Sequence, residues 1–215
     1  MIGAPYADLR GALGVFGGTF DPIHVAHLAV AEAARDALGL ERVLFIPAGE
    51  PPHKRDRPIT PAAHRLAMVE AAIADNPGFG TSRIEIDRAG PSYSVETLAA
   101  LSSSTVQRLA FIVSAEAYAD LPTWHRPERV LELATLVVAP RDGFPEADTA
   151  SIGRRFPATA ARIVFLDGPR MRLSASEIRA RAAAGRSLRY LVPDAVAAYI
   201  GDHALYQDPG RTDRS

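Results

Sequence analysis

Residues 13–47 read LGVFGGTFDPIHVAHLAVAEAARDALGLERVLFIP. An apolar run, LGVFG at 13–17, leaves through Gly17 and Gly18 into a helical pattern that opens at His24 and ends before Gly39, where a left-handed C-cap is wanted. A second apolar run, RVLFIP at 42–47, follows at once. Strand, helix and strand in so short a span predict a βαβ unit. The alternation continues through FGTSRIEI at 79–86, RLAFIV at 108–113, TLVVA at 135–139 and RIVFL at 162–166. Helical patterns lie between them, PAAHRLAMVEAAIAD from Pro61 and SVETLAALSSS from Ser94, and two more, ASEIRARAAAG up to Gly185 and PDAVAAYI from Pro193, close the chain. The fold class expected is α/β: an open, mainly parallel sheet with helices on both faces and a C-terminal helical segment.

The chain of 215 residues suits one domain, with about 1–12 as an N-terminal extension. The tail YQDPGRTDRS, from Tyr206, reads as disordered over about 207–215, with no assignable role. There is no cysteine, which excludes disulfides, thiolate nucleophiles and cysteine-ligated metals. A formal net charge of −1 lacks the basic field of a nucleic-acid binder, and Lys54 is the only lysine. No apolar stretch approaches membrane-span length and the N-terminus lacks a signal-peptide pattern, so a soluble cytoplasmic protein without nucleic-acid or membrane partners is expected.

In an open α/β sheet, ligands bind outside the carboxyl ends of the strands. That rule gathers GGTFDPIH, PAGEPPHK, SAEAYADLPTWH and the 167–176 loop on one rim. His24 and His27 would share the exposed first turn of a helix, where unpaired amides and partial positive charge suit a phosphate. Turn residues and solvated histidines are the plainer reading of that stretch. In LSASEIRAR at 173–181, Ser174 and Glu177 form a capping box that needs no ligand. The cap does not require Ser176 or Arg179, however, and hydroxyls with an arginine one turn on also make an anion site. Neither a GxxxxGK[ST] loop nor a GxGxxG fingerprint is present.

GGTFDPIHVAH, PPHK, GPSYSVETL, LPTWH and LSASEIRAR, in this order, resemble the bacterial nicotinate-nucleotide adenylyltransferases of the nucleotidyltransferase superfamily, from about Gly14 to about Tyr206. The resemblance implies a single Rossmann-like nucleotidyltransferase domain. It also implies an enzyme of NAD biosynthesis that joins nicotinate mononucleotide to the AMP part of ATP, releasing deamido-NAD and pyrophosphate. By resemblance, His24, His27 and Arg179 are the catalytic groups, and Gly17, Gly18, Thr19, Phe20, Glu116, Ser174 and Ser176 bind ATP. His53, Lys54, Ser94, Trp124 and His125 would bind the mononucleotide, with Trp124 stacking on the pyridine ring; a core anchor is its alternative role. The expected cofactor is Mg²⁺ carried by ATP, with no metal site of the protein's own. Since GPSYS and LPTWH contain no acid, the pocket is expected to prefer the nicotinate carboxylate to the nicotinamide amide.

Three positions depart from the family pattern. Ala26 stands where H-x-G-H has glycine, and Ser114-Ala115-Glu116 stands where G-x-D is usual. Such methyl-scale changes typically cost on the order of 1–3 kcal/mol and bear on affinity more than on reaction type. They raise the alternative of a degenerate nucleotide binder without turnover; an enzyme using nicotinamide mononucleotide is a separate alternative. A class I aminoacyl-tRNA synthetase fragment, with a similar histidine pair, would need a KMSKS-like loop that the single lysine forbids.

Overall fold

A computed structural model of the chain describes residues 9–51, 58–141, 156–157 and 162–207. Its elements run β1 (Leu13–Gly18), α1 (Val25–Leu38), β2 (Arg42–Pro47), α2 (Ala62–Ile73), β3 (Phe79–Thr81), α3 (Ser94–Ser104) and β4 (Leu109–Ser114). They continue with α4 (Ala115–Ala119), α5 (Pro127–Leu133), β5 (Thr135–Ala139), β6 (Ile163–Phe165), α6 (Ala175–Ala183) and α7 (Asp194–Asp202). The six strands form one sheet in the order β3-β2-β1-β4-β5-β6, and every neighbouring pair is parallel. The order reverses between β1 and β4, and such a switch point opens a crevice at the strands' carboxyl ends.

Period-two alternation sends the strands' side chains into two cores. Phe16, Phe45 and Ile112 join α1, α2, α6 and α7 on one face through residues such as Ala34, Met68, Ile178 and Val196. Val15, Phe111 and Val113 join α3 and α5 on the other through Leu98 and Leu131. The helix after the glycine turn ends as its sequence implies, with Gly39 at φ 63 and its N–H on the carbonyls of Arg35 and Asp36.

Three sequence expectations need correction. Strand β3 stops at Thr81, because it is an edge strand paired only with β2, and RIEI folds away as a turn. Leu9 and Ala12, counted in the N-terminal extension, are each 1% exposed and belong to the first core. Tyr206, the first residue of the YQDPGRTDRS tail, packs against that same core. Among the described residues, no helix is long and apolar enough to cross a membrane.

Candidate active site

The carboxyl ends of β1, β4 and β5 and the start of α6 enclose a cleft of about 430 Å³, within the usual range for a small-molecule site. Gly17, Gly18, Phe20, His24, His27, Glu116, Ser174 and Ser176 all line it, as do Arg141, Ala26 and Ser114. A side chain at Gly18 would put a Cβ 3.0 Å from the Phe20 ring, a tight contact that the ring would have to yield to. Phe20 itself takes φ 49 and is buried, meeting His27 edge-on at 5.1 Å and Phe16 at 5.7 Å.

The two imidazoles stack at 3.7 Å with their planes 21° apart. His24 is not on an exposed turn: it is the N-cap of α1 and only 5% exposed. Burial, and secondarily the Arg141 charge, lower its pKa to about 4, so it is neutral at pH 7. Its Nδ1 is buried without a hydrogen-bond partner among the described residues. The backbone N–H of His24 donates to His27 Nδ1 at 3.2 Å. That bond fixes the neutral tautomer of His27 with its proton on Nε2, which leaves Nε2–H as a donor.

Across the cleft, Ser174 caps α6, its Oγ accepting from the Glu177 N–H at 3.2 Å. Arg179 donates to Ser176 Oγ at 3.1 Å and to the Asp21 carbonyl at 2.7 Å, so it ties α6 to the loop that precedes His24. Glu116 is ion-paired with Arg141, and Ser114 caps α4 by accepting from Ala117 N–H at 3.2 Å. Thr19 contributes its carbonyl, which accepts from Arg65 Nη1 at 2.8 Å.

The described mononucleotide candidates, Ser94, Trp124 and His125, fall on the opposite side of β1. Ser94 shares a small recess with Gly17, Glu85, Thr97 and Phe111, and Gly17 borders both recess and cleft. Trp124 is half-buried and meets Phe111 edge-on at 6.0 Å, while His125 lies against Tyr93 at 4.5 Å. Ser92 Oγ accepts from the N–H groups of Gly49 at 2.9 Å and Glu50 at 3.2 Å, which seats GPSYS on the loop after β2. His53 and Lys54 lie outside the described residues.

Sequence reading missed four groups. Arg65 is 1% exposed and donates to the carbonyls of Thr60, Thr19 and Ala48, fastening three loops of the rim. Glu85 accepts from Thr97 Oγ1 at 2.7 Å; burial pushes its carboxyl above the ordinary range, against the pull of Thr97 and Arg88. Arg141 follows β5 at the rim, where the strand-end rule could have found it. Tyr206 bonds to Asp21 at 2.8 Å, and no local pattern signals it.

Paired imidazoles, a helix N-terminus and an arginine around one cleft at the sheet's switch point define a nucleotide-handling α/β protein. A family model described as Cytidylyltransferase-like matches residues 15–181, and the chain belongs to that family. A protein of Thermomicrobium roseum named "Probable nicotinate-nucleotide adenylyltransferase" is 49% identical over 196 residues, 91% of each chain. One of the same name from Roseiflexus sp. is 49% identical over 195 residues, 91% of this chain and 98% of its own. Among solved structures, the Plasmodium falciparum nicotinic acid mononucleotide adenylyltransferase complexed with NaAD has a TM-score of 0.74 at 17% identity, covering 90% of this chain and 96% of its own; that likeness is one of fold.

Proposed function

We propose that the cleft transfers the AMP part of ATP to the phosphate of nicotinate mononucleotide, yielding deamido-NAD and pyrophosphate for NAD biosynthesis. The observation that carries this reading is the stacked His24–His27 pair facing the Ser174-capped N-terminus of α6 across one cleft. The names of the near-half-identical relatives supply the substrates.

The nucleophile is a phosphate oxygen already ionised at neutral pH, so alignment and charge stabilisation suffice and no general base is needed. In this reading His27 Nε2–H donates to the phosphates near the reacting phosphorus. His24, neutral in the free protein, gains affinity for a proton as the polyphosphate settles beside it. The amides at the start of α6, with Ser176 and Arg179, receive the outgoing pyrophosphate. On the mononucleotide side, Trp124 stacks on the pyridine ring, and Ser94, His125 and the basic pair His53 and Lys54 hold the remaining groups.

Mg²⁺ belongs to this reading as an ion that arrives on ATP and neutralises phosphate charge when bound. The donor set fits that role. Glu116, a carboxylate lining the cleft, is engaged by Arg141. The enzyme so described is cytoplasmic and works on small molecules, not on nucleic acid or membranes.

A panel of acceptors offered with ATP tests the reading, with pyrophosphate release as the measure. Turnover is expected with nicotinate mononucleotide, far less with nicotinamide mononucleotide, and none with phosphopantetheine. A site built to hydrogen-bond one group can reject an analogue lacking it by roughly 10⁴. No release with any acceptor would overturn the proposal.

A further inference from the structure

The chain beyond α7 returns to the turn that carries the histidines. Helix α7 stops at Asp202, and the chain then bends through Ala204 at φ 48 and Tyr206 at φ 65. Left-handed backbone is disfavoured for any residue with a Cβ, so contacts must hold Tyr206 in place. Its hydroxyl donates to Asp21 Oδ1 at 2.8 Å. Burial and the Asp21 carboxylate push the phenol well above its ordinary range, so the hydroxyl remains a donor at any working pH.

Asp21 is 4% exposed and does not line the cleft. Its Oδ2 accepts from the Thr60 N–H at 3.4 Å, and its carbonyl accepts from Arg179 at 2.7 Å. Fully buried Ile23 and then His24 follow within three residues. The start of α1 is tied to the same C-terminal region, since Val25 N–H donates to the Leu191 carbonyl at 3.1 Å. The histidine turn is thus pinned by Arg179, Leu191 and Tyr206, none of which contacts the imidazoles in these bonds.

We propose that Tyr206 is a positioning residue, its hydroxyl setting through Asp21 the loop that presents His24 and His27 to the phosphates. The chain from α7 through Tyr206 then belongs to the working site. This inference rests on the adenylyl-transfer reading and adds to it a part that no motif marks.

Tyr206→Phe deletes the hydroxyl and keeps the ring. Tyr199→Phe is the structural control, because it removes a neighbouring hydroxyl that bonds His64 Nδ1 at 2.9 Å, away from the turn. Misplacing a catalytic group by about 1 Å can cost about a hundredfold, so Tyr206→Phe should lower kcat about ten- to a hundredfold while KM for both substrates stays within about twofold. Amide exchange at Asp21, Ile23 and His24 should quicken about tenfold or more in Tyr206→Phe and not in Tyr199→Phe. Unchanged exchange at these amides in Tyr206→Phe overturns the proposal, as does a kcat within about twofold of an active wild type or a loss equalled by Tyr199→Phe. A wild type that releases no pyrophosphate from ATP and nicotinate mononucleotide refutes the adenylyl-transfer reading instead, and the exchange result still decides the role of Tyr206.

Discussion

Lowering the pH should cost this protein stability through one imidazole. His24 has a pKa of about 4 in the fold, against 6.5 for an ordinary histidine, chiefly because burial penalises its charged form and secondarily because Arg141 is near. Between these values the unfolded chain binds a proton that the folded chain does not, so stability rises with pH across the window. The contribution is fully present above pH 6.5 and is lost as the pH falls toward 4. At about 1.4 kcal/mol per pH decade, the whole window is worth about 3 kcal/mol, of which about 2 kcal/mol is lost by about pH 5. His24→Asn removes the titration and keeps a favourable N-cap. Urea unfolding of wild type and variant at about pH 7, 6 and 5 isolates the effect, because the carboxylates common to both cancel. The wild type should lose about 2 kcal/mol more than the variant between about pH 6.5 and 5. Parallel pH curves would refute the buried, neutral state of His24.

Other expectations follow from single contacts. His27→Ala should lower kcat by about 10²–10³ in steady-state kinetics, by removing one charge-stabilising donor; near-native turnover would leave the histidines as turn residues only. Arg179→Ala should weaken ATP binding in calorimetry, whereas Glu177→Ala should leave it intact, since the Ser174 cap uses only the Glu177 backbone N–H. Gly49→Ala would place a Cβ 2.2 Å from the Glu85 carbonyl oxygen, and a loss of about 2 kcal/mol in urea unfolding is expected. Trp124→Ala should raise KM for the mononucleotide more than KM for ATP, because the ring lies on the recess side of β1.

The alternation of apolar runs with helical periods made the sheet and its parallel sense legible, and Gly39 marked the end of α1 to the residue. The strand-end rule brought the glycine turn, Glu116 and the Ser174 helix to one cleft, whereas Thr19 and Arg179 are not among its lining residues. What local patterns could not carry is burial set by distant segments. His24 looks solvated in the linear chain, but as N-cap it sits beneath its neighbours and loses its charge. RIEI has strand composition, yet an edge position with one partner leaves it a turn that drives Glu85 inward. Glu85 also modifies the specificity expectation, because an acid does approach Ser94, from a third segment, although burial favours its neutral form. Arg65 reads as a surface charge on α2, and only the fold shows four loop carbonyls, those of Thr19, Ala48, Gly49 and Thr60, converging on it.

The fate of the ATP phosphates tests the central claim most directly. With nicotinate mononucleotide as acceptor and ATP labelled at either the α- or the γ-phosphorus, adenylyl transfer puts the α-label wholly in the dinucleotide and the γ-label wholly in pyrophosphate, one released per dinucleotide formed. Label from the γ-position in the acceptor, or no labelled dinucleotide from the α-labelled substrate, would contradict it.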